Sequence, residues 1–203
     1  MKIFCIGRNY PLHVKEFNNQ IPEEPIFFLK PDTALLRNNE PFYIPSFSNN
    51  IQTEVEIVFR ICKVGKNISP RFAHRYYDAI TLGIDFTARD IQQNCIKNGL
   101  PWEKAKSFDN SAAISSFIEK TQFNNIKNIA FSLYINEQLV QKASTAQMIF
   151  NIEQIIVYLS QFFTLKTGDL IFTGTPNGVT TIKIGDKIEG YIEDKKMLDF
   201  YIK

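Results

Sequence analysis

The chain has 203 residues, 44% of them apolar, 13% aromatic and 22% charged, with a formal net charge of +2 at pH 7. Its 28 Ile and 18 Phe exclude a disordered chain, and the length is ample for a hydrophobic core. No apolar run approaches the roughly 20 residues of a membrane span, and the weak charge excess points to no nucleic-acid partner. The apolar stretch before Arg8 is too short for a secretory leader. Cys5, Cys62 and Cys95 are an odd, scattered set, unlike a disulfide framework, so the expected setting is cytoplasmic.

In chain order, KIFCIG reads as a strand ended by Gly7, and PLHVKEF as one or two helical turns with Pro11 in the first. From Ile21 to Asn50 the chain is rich in Pro and Asn and reads as irregular with brief strands. TEVEIVFRICKV alternates and is rich in Val and Ile, which predicts one strand. AITLGIDFTARDIQQNCIKNGL predicts a strand through Ile84 passing into a helix near Arg89 that stops at Gly99. IAFSLYINEQLVQ predicts a hairpin turning at Asn136–Glu137. Ile149, Ile152, Ile156 and Leu159 fall on one face of a helix. LKTGDLIFTGTP ends in a Gly-rich turn, and KIGDKIEGYIE reads as a final strand pair. Short strands outnumber helices without regular alternation, which predicts a mixed α+β fold around a largely antiparallel sheet.

The chemistry-bearing residues are few. Glu54 and Glu56, two apart on a strand, share a face roughly 6.6 Å apart; such carboxylates repel unless a cation lies between them. On their own they are equally well read as a solvated strand face. Asp85, where an apolar strand gives way to a helix, could close an all-oxygen site suited to Mg²⁺, Mn²⁺ or Ca²⁺ and not to Zn²⁺. His13 and Glu16, three apart on a helical turn, form the pair a water-activating base needs. The other histidine, His74, reads as structural on an exposed polar helix. Lys106 could stabilise an enolate oxygen. Gly174–Thr175 could meet a substrate carboxylate, or be a plain turn.

Taken in order, GRNYPLHVKE (Gly7–Glu16), FFLKP (Phe27–Pro31), EVE (Glu54–Glu56), GIDFTARDIQ (Gly83–Gln92), WEKAKSFD (Trp102–Asp109) and GDLIFTGTPNGV (Gly168–Val179) resemble the fumarylacetoacetate hydrolase family, in particular its short single-domain members. The resemblance implies one catalytic domain over residues 1–203, built on a rolled β-sheet with a few flanking helices. It also implies a Mg²⁺ or Mn²⁺ site, which Ca²⁺ can occupy, and a homodimer. By the same resemblance Glu54, Glu56 and Asp85 match the metal carboxylates. His13 and Glu16 match a catalytic dyad on a mobile lid, about residues 8–20, and Lys106 the lysine beside the metal. Arg8, Arg89, Gln92, Gly174 and Thr175 match substrate-facing positions. Two departures stand out: Gln52 where the family leads one to expect His, and Ile6 where longer members carry an extra acidic ligand.

The implied activity is metal-dependent hydrolysis of the C–C bond of acylpyruvate-type 2,4-dioxo acids through a pyruvate enolate stabilised by the metal and Lys106. Oxaloacetate decarboxylation is a second activity of the same enolate. Two alternatives stay open: a 2-hydroxyhepta-2,4-diene-1,7-dioate isomerase, and a non-catalytic metal-stabilised dimer. The expected partners are a small 2-oxo acid and a second copy of the chain, with neither nucleic acid nor membrane.

Overall fold

The computed structural model describes residues 1–203. Its elements in chain order begin with β1 (Ile3–Gly7), α1 (Pro11–Glu16), β2 (Ile26–Lys30), β3 (Leu35–Leu36), β4 (Ile51–Thr53), β5 (Val55–Ile61), β6 (Tyr77–Asp85) and β7 (Thr87–Ala88). They continue with α2 (Arg89–Asn98), α3 (Glu103–Lys106), β8 (Ala112–Ile114), β9 (Ile118–Glu119), β10 (Ala130–Ile135) and β11 (Gln138–Ser144). The last are α4 (Ile152–Phe162), β12 (Leu170–Phe172), β13 (Thr180–Thr181), β14 (Lys187–Ile192) and β15 (Lys195–Tyr201).

The class is α+β, strand-dominated and largely antiparallel, but the strands divide among three sheets. The largest runs β2-β1-β12-β5-β6-β8-β3, with β9 also on β6; a second runs β11-β10-β14-β15, and a small third runs β13-β4-β7. Only β1–β12 and β3–β8 pair in parallel within the large sheet. Apart from Glu56 and Arg60, β5 is apolar, because both of its faces are covered. Ile57, Phe59 and Ile61 join Phe131, Leu133, Ile188 and Leu198 of the second sheet in the main core, while Val58 faces the other way onto Ile3, Leu170 and Phe172. Helix α4 lays Ile152, Ile155, Ile156 and Leu159 on the main core.

Several local readings change. The stretch read as one strand from Thr53 onward breaks at Glu54: Gln52 pairs with Thr87 and Thr181 in the small sheet, whereas Glu56 pairs with Gly83 in the large one. Ile149 lies before α4, because Asn151 takes the N-cap and accepts from the Glu153 and Gln154 amides. The final strand pair is β14 with β15, displaced toward the C-terminus, because Gly185 (φ +95°) turns the chain ahead of Lys187. Residues Pro70–Arg75 around His74 form a short 3₁₀ segment, and His74 is exposed. The hairpin turn does fall at Asn136–Glu137, both with positive φ, which suits the twist of β10 and β11.

The topology brings one set of strand ends together. β5 runs antiparallel to both β6 and β12, and β1 runs parallel to β12. The start of β5 therefore lies at the same edge as the ends of β1, β6 and β12. At that edge the chain turns into the Arg8–Glu16 segment, the Gly174–Thr175 turn, and the passage from Asp85 into α2.

Candidate active site

Glu54, Glu56 and Asp85 converge at this edge, each offering a carboxylate oxygen within 4.8 Å of the others and none more than 5% exposed. Glu54 stands at the corner where the chain leaves the small sheet for β5, and Asp85 at the corner where β6 leaves the large one. Their backbones are tied together, the Asp85 N–H donating to the Glu54 carbonyl at 2.8 Å.

Three cations meet two of these carboxylates, Glu54 and Asp85. The Lys106 ammonium lies 2.7 Å from Glu54 Oε2 and 2.9 Å from Asp85 Oδ2, and donates to Thr87 Oγ1 at 2.6 Å. Lys30, at the end of β2, lies 2.8 Å from Asp85 Oδ1 and donates to the Ser111 carbonyl at 2.9 Å. Arg89 donates through Nη2 to Glu54, through Nη1 to Gln92, and through Nε to Gln52 Oε1 at 2.6 Å. Burial disfavours charge on Glu54, but Lys106 and Arg89 outweigh it and hold its carboxyl well below the usual range. Burial likewise opposes charge on Lys106, and Asp85 and Glu54 outweigh it, raising its ammonium. Glu56 meets no cation; its Oε2 accepts from the Gly174 N–H at 2.6 Å. Burial, then Asp85 and Glu54, push the Glu56 carboxyl well above its ordinary value.

The Arg8–Glu16 segment covers the cluster. Arg8 takes a left-handed conformation (φ +58°), turning the chain out of β1. Asn9 anchors the turn, donating to the Phe150 and Thr173 carbonyls at 2.9 and 2.8 Å and accepting from the Phe150 N–H at 2.8 Å. Helix α1 then places His13 Nδ1 3.3 Å from Glu16 Oε2, while Glu16 Oε1 accepts from the Gly178 N–H at 3.1 Å. Burial lowers the His13 pKa from 6.5, against the pull of Glu54 and Glu16. Just beyond α1, the Phe17 ring lies over the Arg89 guanidinium at 4.8 Å.

All the site residues expected from the sequence except Glu16 and Gly174 line one cavity of about 220 Å³. Glu16 stands behind His13. Gly174 donates its N–H to Glu56 Oε2, so in this structure the glycine orients a carboxylate. A Cβ there would lie 2.8 Å from Asn9 Cβ and φ is +98°, both of which favour glycine. Thr175 faces the cavity with Oγ1 accepting from Gln141 Nε2 at 2.9 Å. Sequence reasoning passed over Lys30, Thr87 and Gln141. A lysine closing the apolar run FFLK was the one available signal, since a buried ammonium requires a carboxylate.

The donor set fits a hard divalent cation. Three buried carboxylates converge without histidine or thiolate, and Glu56 forms no ion pair of its own. Glu54, Glu56 and Asp85 would hold the ion, with Lys30 and Lys106 orienting Asp85.

The family model for the fumarylacetoacetate hydrolase C-terminal domain matches residues 2–200. The chain belongs to this family. Among curated members it is 41% identical to a mitochondrial oxaloacetate tautomerase, FAHD1 of Mus musculus, over 99% of this chain and 91% of that one. It is 42% identical to a mitochondrial oxaloacetate decarboxylase of Dictyostelium discoideum, over 93% and 87%. A fumarylpyruvate hydrolase of Pseudomonas aeruginosa, solved with Mn²⁺ and pyruvate, superposes with a TM-score of 0.95 at 33% identity, covering 100% of this chain and 89% of that one. Within the family frame the two departures have plain structural settings. Gln52 accepts from Arg89 and donates to Thr181 Oγ1 at 3.2 Å, and Ile6 is a buried core residue. No helix is long and apolar enough to cross a membrane.

Proposed function

We propose that this enzyme converts enol and keto oxaloacetate into one another, and that the same site cleaves acylpyruvate-type 2,4-dioxo acids with water as a second activity. Both reactions pass through an enolate at C3 of a 2-oxo acid. The supporting observation is the charge balance: Glu54, Glu56 and Asp85 stand against Lys30, Lys106 and Arg89 in one buried cluster. A bound dication leaves that cluster at about +2, which a dianionic 2-oxo dicarboxylate offsets. A small cavity and the relatives named for oxaloacetate favour the four-carbon acid.

Mg²⁺ or Mn²⁺, held by Glu54, Glu56 and Asp85, supplies Lewis acidity toward the 2-oxo acid. The protein does the rest. Thr175 Oγ1 binds the C1 carboxylate, and Arg89 with Arg8 holds the distal one. Lys106 offers its ammonium to oxygen charge that develops on the enolate. Neutral His13 takes the C3 proton and delivers it to the enolate oxygen, which gives the enol, and carries it back to C3 in the reverse direction, its imidazolium stabilised by Glu16. The hydrolytic reading rests on the same pair, His13 taking a proton from water that attacks the distal carbonyl. Residues 8–20 close over the substrate and exclude bulk water.

The test follows enol-oxaloacetate loss, pyruvate release from oxaloacetate and acetylpyruvate cleavage, each corrected for its spontaneous rate. Mg²⁺-dependent enol loss that EDTA abolishes supports the proposal. Metal-loaded protein that accelerates none of the three overturns it and favours the isomerase or the silent dimer. Sedimentation tests the homodimer, and cell fractionation tests the cytoplasmic setting against relatives named as mitochondrial.

A further inference from the structure

We infer that Gln141 is a positioning residue whose side-chain amide fixes the Thr175 hydroxyl as a donor to the substrate carboxylate and ties it to the strand carrying Glu54 and Glu56. This rests on the reading of Thr175 given above. Gln141 lies on β11, 1% exposed, and its amide has three protein partners. Oε1 accepts from the Val55 N–H at 3.0 Å; Nε2 donates to Thr175 Oγ1 and to the Pro176 carbonyl, both at 2.9 Å.

The amide cannot be turned over. A backbone N–H only donates, so the atom facing Val55 is oxygen; a carbonyl only accepts, so the atom facing Pro176 is nitrogen. One N–H is spent on Pro176, and the other reaches Thr175 Oγ1. The Thr175 hydroxyl therefore accepts from Gln141, its proton has no protein acceptor, and Thr175 lines the cavity. A hydroxyl that already accepts a hydrogen bond is also a stronger donor. Val55 sits between Glu54 and Glu56, so one side chain sets the spacing between the carboxylate pair and the hydroxyl. Serving both elements from β11 explains why a buried glutamine belongs on a hairpin otherwise far from the chemistry.

The test is a double-mutant cycle of Gln141→Glu with Thr175→Val, read as KM for oxaloacetate and as calorimetric Kd for pyruvate on the Mn²⁺-loaded protein. The glutamate keeps the size and the bond from Val55, but its second oxygen draws the Thr175 proton away from the cavity. Gln141→Glu is expected to raise KM and Kd about tenfold or more, the value of a hydrogen bond to a charged group, with kcat and Mn²⁺ affinity little changed. In the Thr175→Val background it should add less than about twofold. Additive effects, or loss of Mn²⁺ affinity in parallel, would overturn the inference in favour of a structural glutamine. Thr175→Val without effect on either constant overturns the reading of Thr175 and this inference with it. Thr175→Val with effect and Gln141→Glu without overturns this inference alone. If the glutamate variant does not fold, Gln141→Met, of similar volume, takes its place in the cycle; because it also removes the acceptor of the Val55 N–H, only its coupling to Thr175→Val is read from it, not its Mn²⁺ affinity. The pyruvate arm needs no turnover, so a wrong reaction and a wrong residue give different results.

Discussion

Glu54 and Asp85 are ion-paired and Glu56 is not, and the consequences can be measured one residue at a time. His13→Ala should reduce turnover roughly 10²- to 10⁴-fold, the usual contribution of a positioned base, while Mn²⁺ titration shows the metal still bound. The base works as neutral imidazole, and burial lowers its pKa from 6.5, so protonation removes it only at more acid pH. The acid limb of kcat/KM should accordingly lie below 6.5 and be missing from the residual activity of His13→Ala. Lys30→Met should cost about 3–5 kcal/mol in urea unfolding, because it leaves the buried Asp85 short of one cation. The loss should shrink when Mg²⁺ is added, since a dication restores the missing charge. The carboxylates were legible as acids set into apolar strands. Lys30 was not, because the partner that permits its burial is remote in sequence and only sheet pairing reveals it. Gln141 was illegible for the same reason: its amide serves two elements that no local pattern connects to β11.

At the scale of elements, composition and alternation located β1, β5, β6, the β10–β11 hairpin with its turn, the end of α2 at Gly99 and the apolar face of α4, but not the two- and three-residue strands. What they also missed were corners. Nothing in TEVEIVF marks the passage between sheets at Glu54, because a strand that changes sheets keeps the same alternation. The corner is set by which partners Gln52 and Glu56 find, Thr87 in one sheet and Gly83 in the other. Apolar spacing alone extends α4 back to Ile149, whereas the capping pair Asn151 and Gln154 starts it at Ile152. Asn151→Ala should lower unfolding free energy by about 1 kcal/mol without changing KM, since α4 lies away from the cavity. Gly178 is different. Its φ is +93° and a Cβ would lie 2.2 Å from the Val140 carbonyl, so Gly178→Ala must displace the backbone that holds Glu16. It should cost roughly 1–3 kcal/mol of stability and lower kcat as well, separating it from the helix-cap variant in a paired stability and rate measurement.

For the molecule as a whole, a metal bound only by the folded state adds stability by mass action. At a hundredfold excess over Kd, Mg²⁺ or Mn²⁺ should raise unfolding free energy by about 2.7 kcal/mol, a shift of roughly 5–11 °C in Tm for a chain of this size. EDTA should reverse it in a calorimetric scan.

The three residues of β12 have a further consequence, for the order in which the molecule is made. They lie between β1 and β5, pairing Ile3 with Leu170 on one side and Val58 with Phe172 on the other. Until Leu170–Phe172 has left the ribosome, no strand ladder joins the β1–β2 ribbon to β5 and β6, and the anchor of Asn9 on Thr173 cannot form. The nascent chain therefore carries two unjoined pieces of sheet with open, apolar edges through most of its synthesis. Assembly of the site becomes a late event that depends on long-range pairing, which places refolding in the slow class of β-rich chains and makes the growing polypeptide a natural client for chaperones.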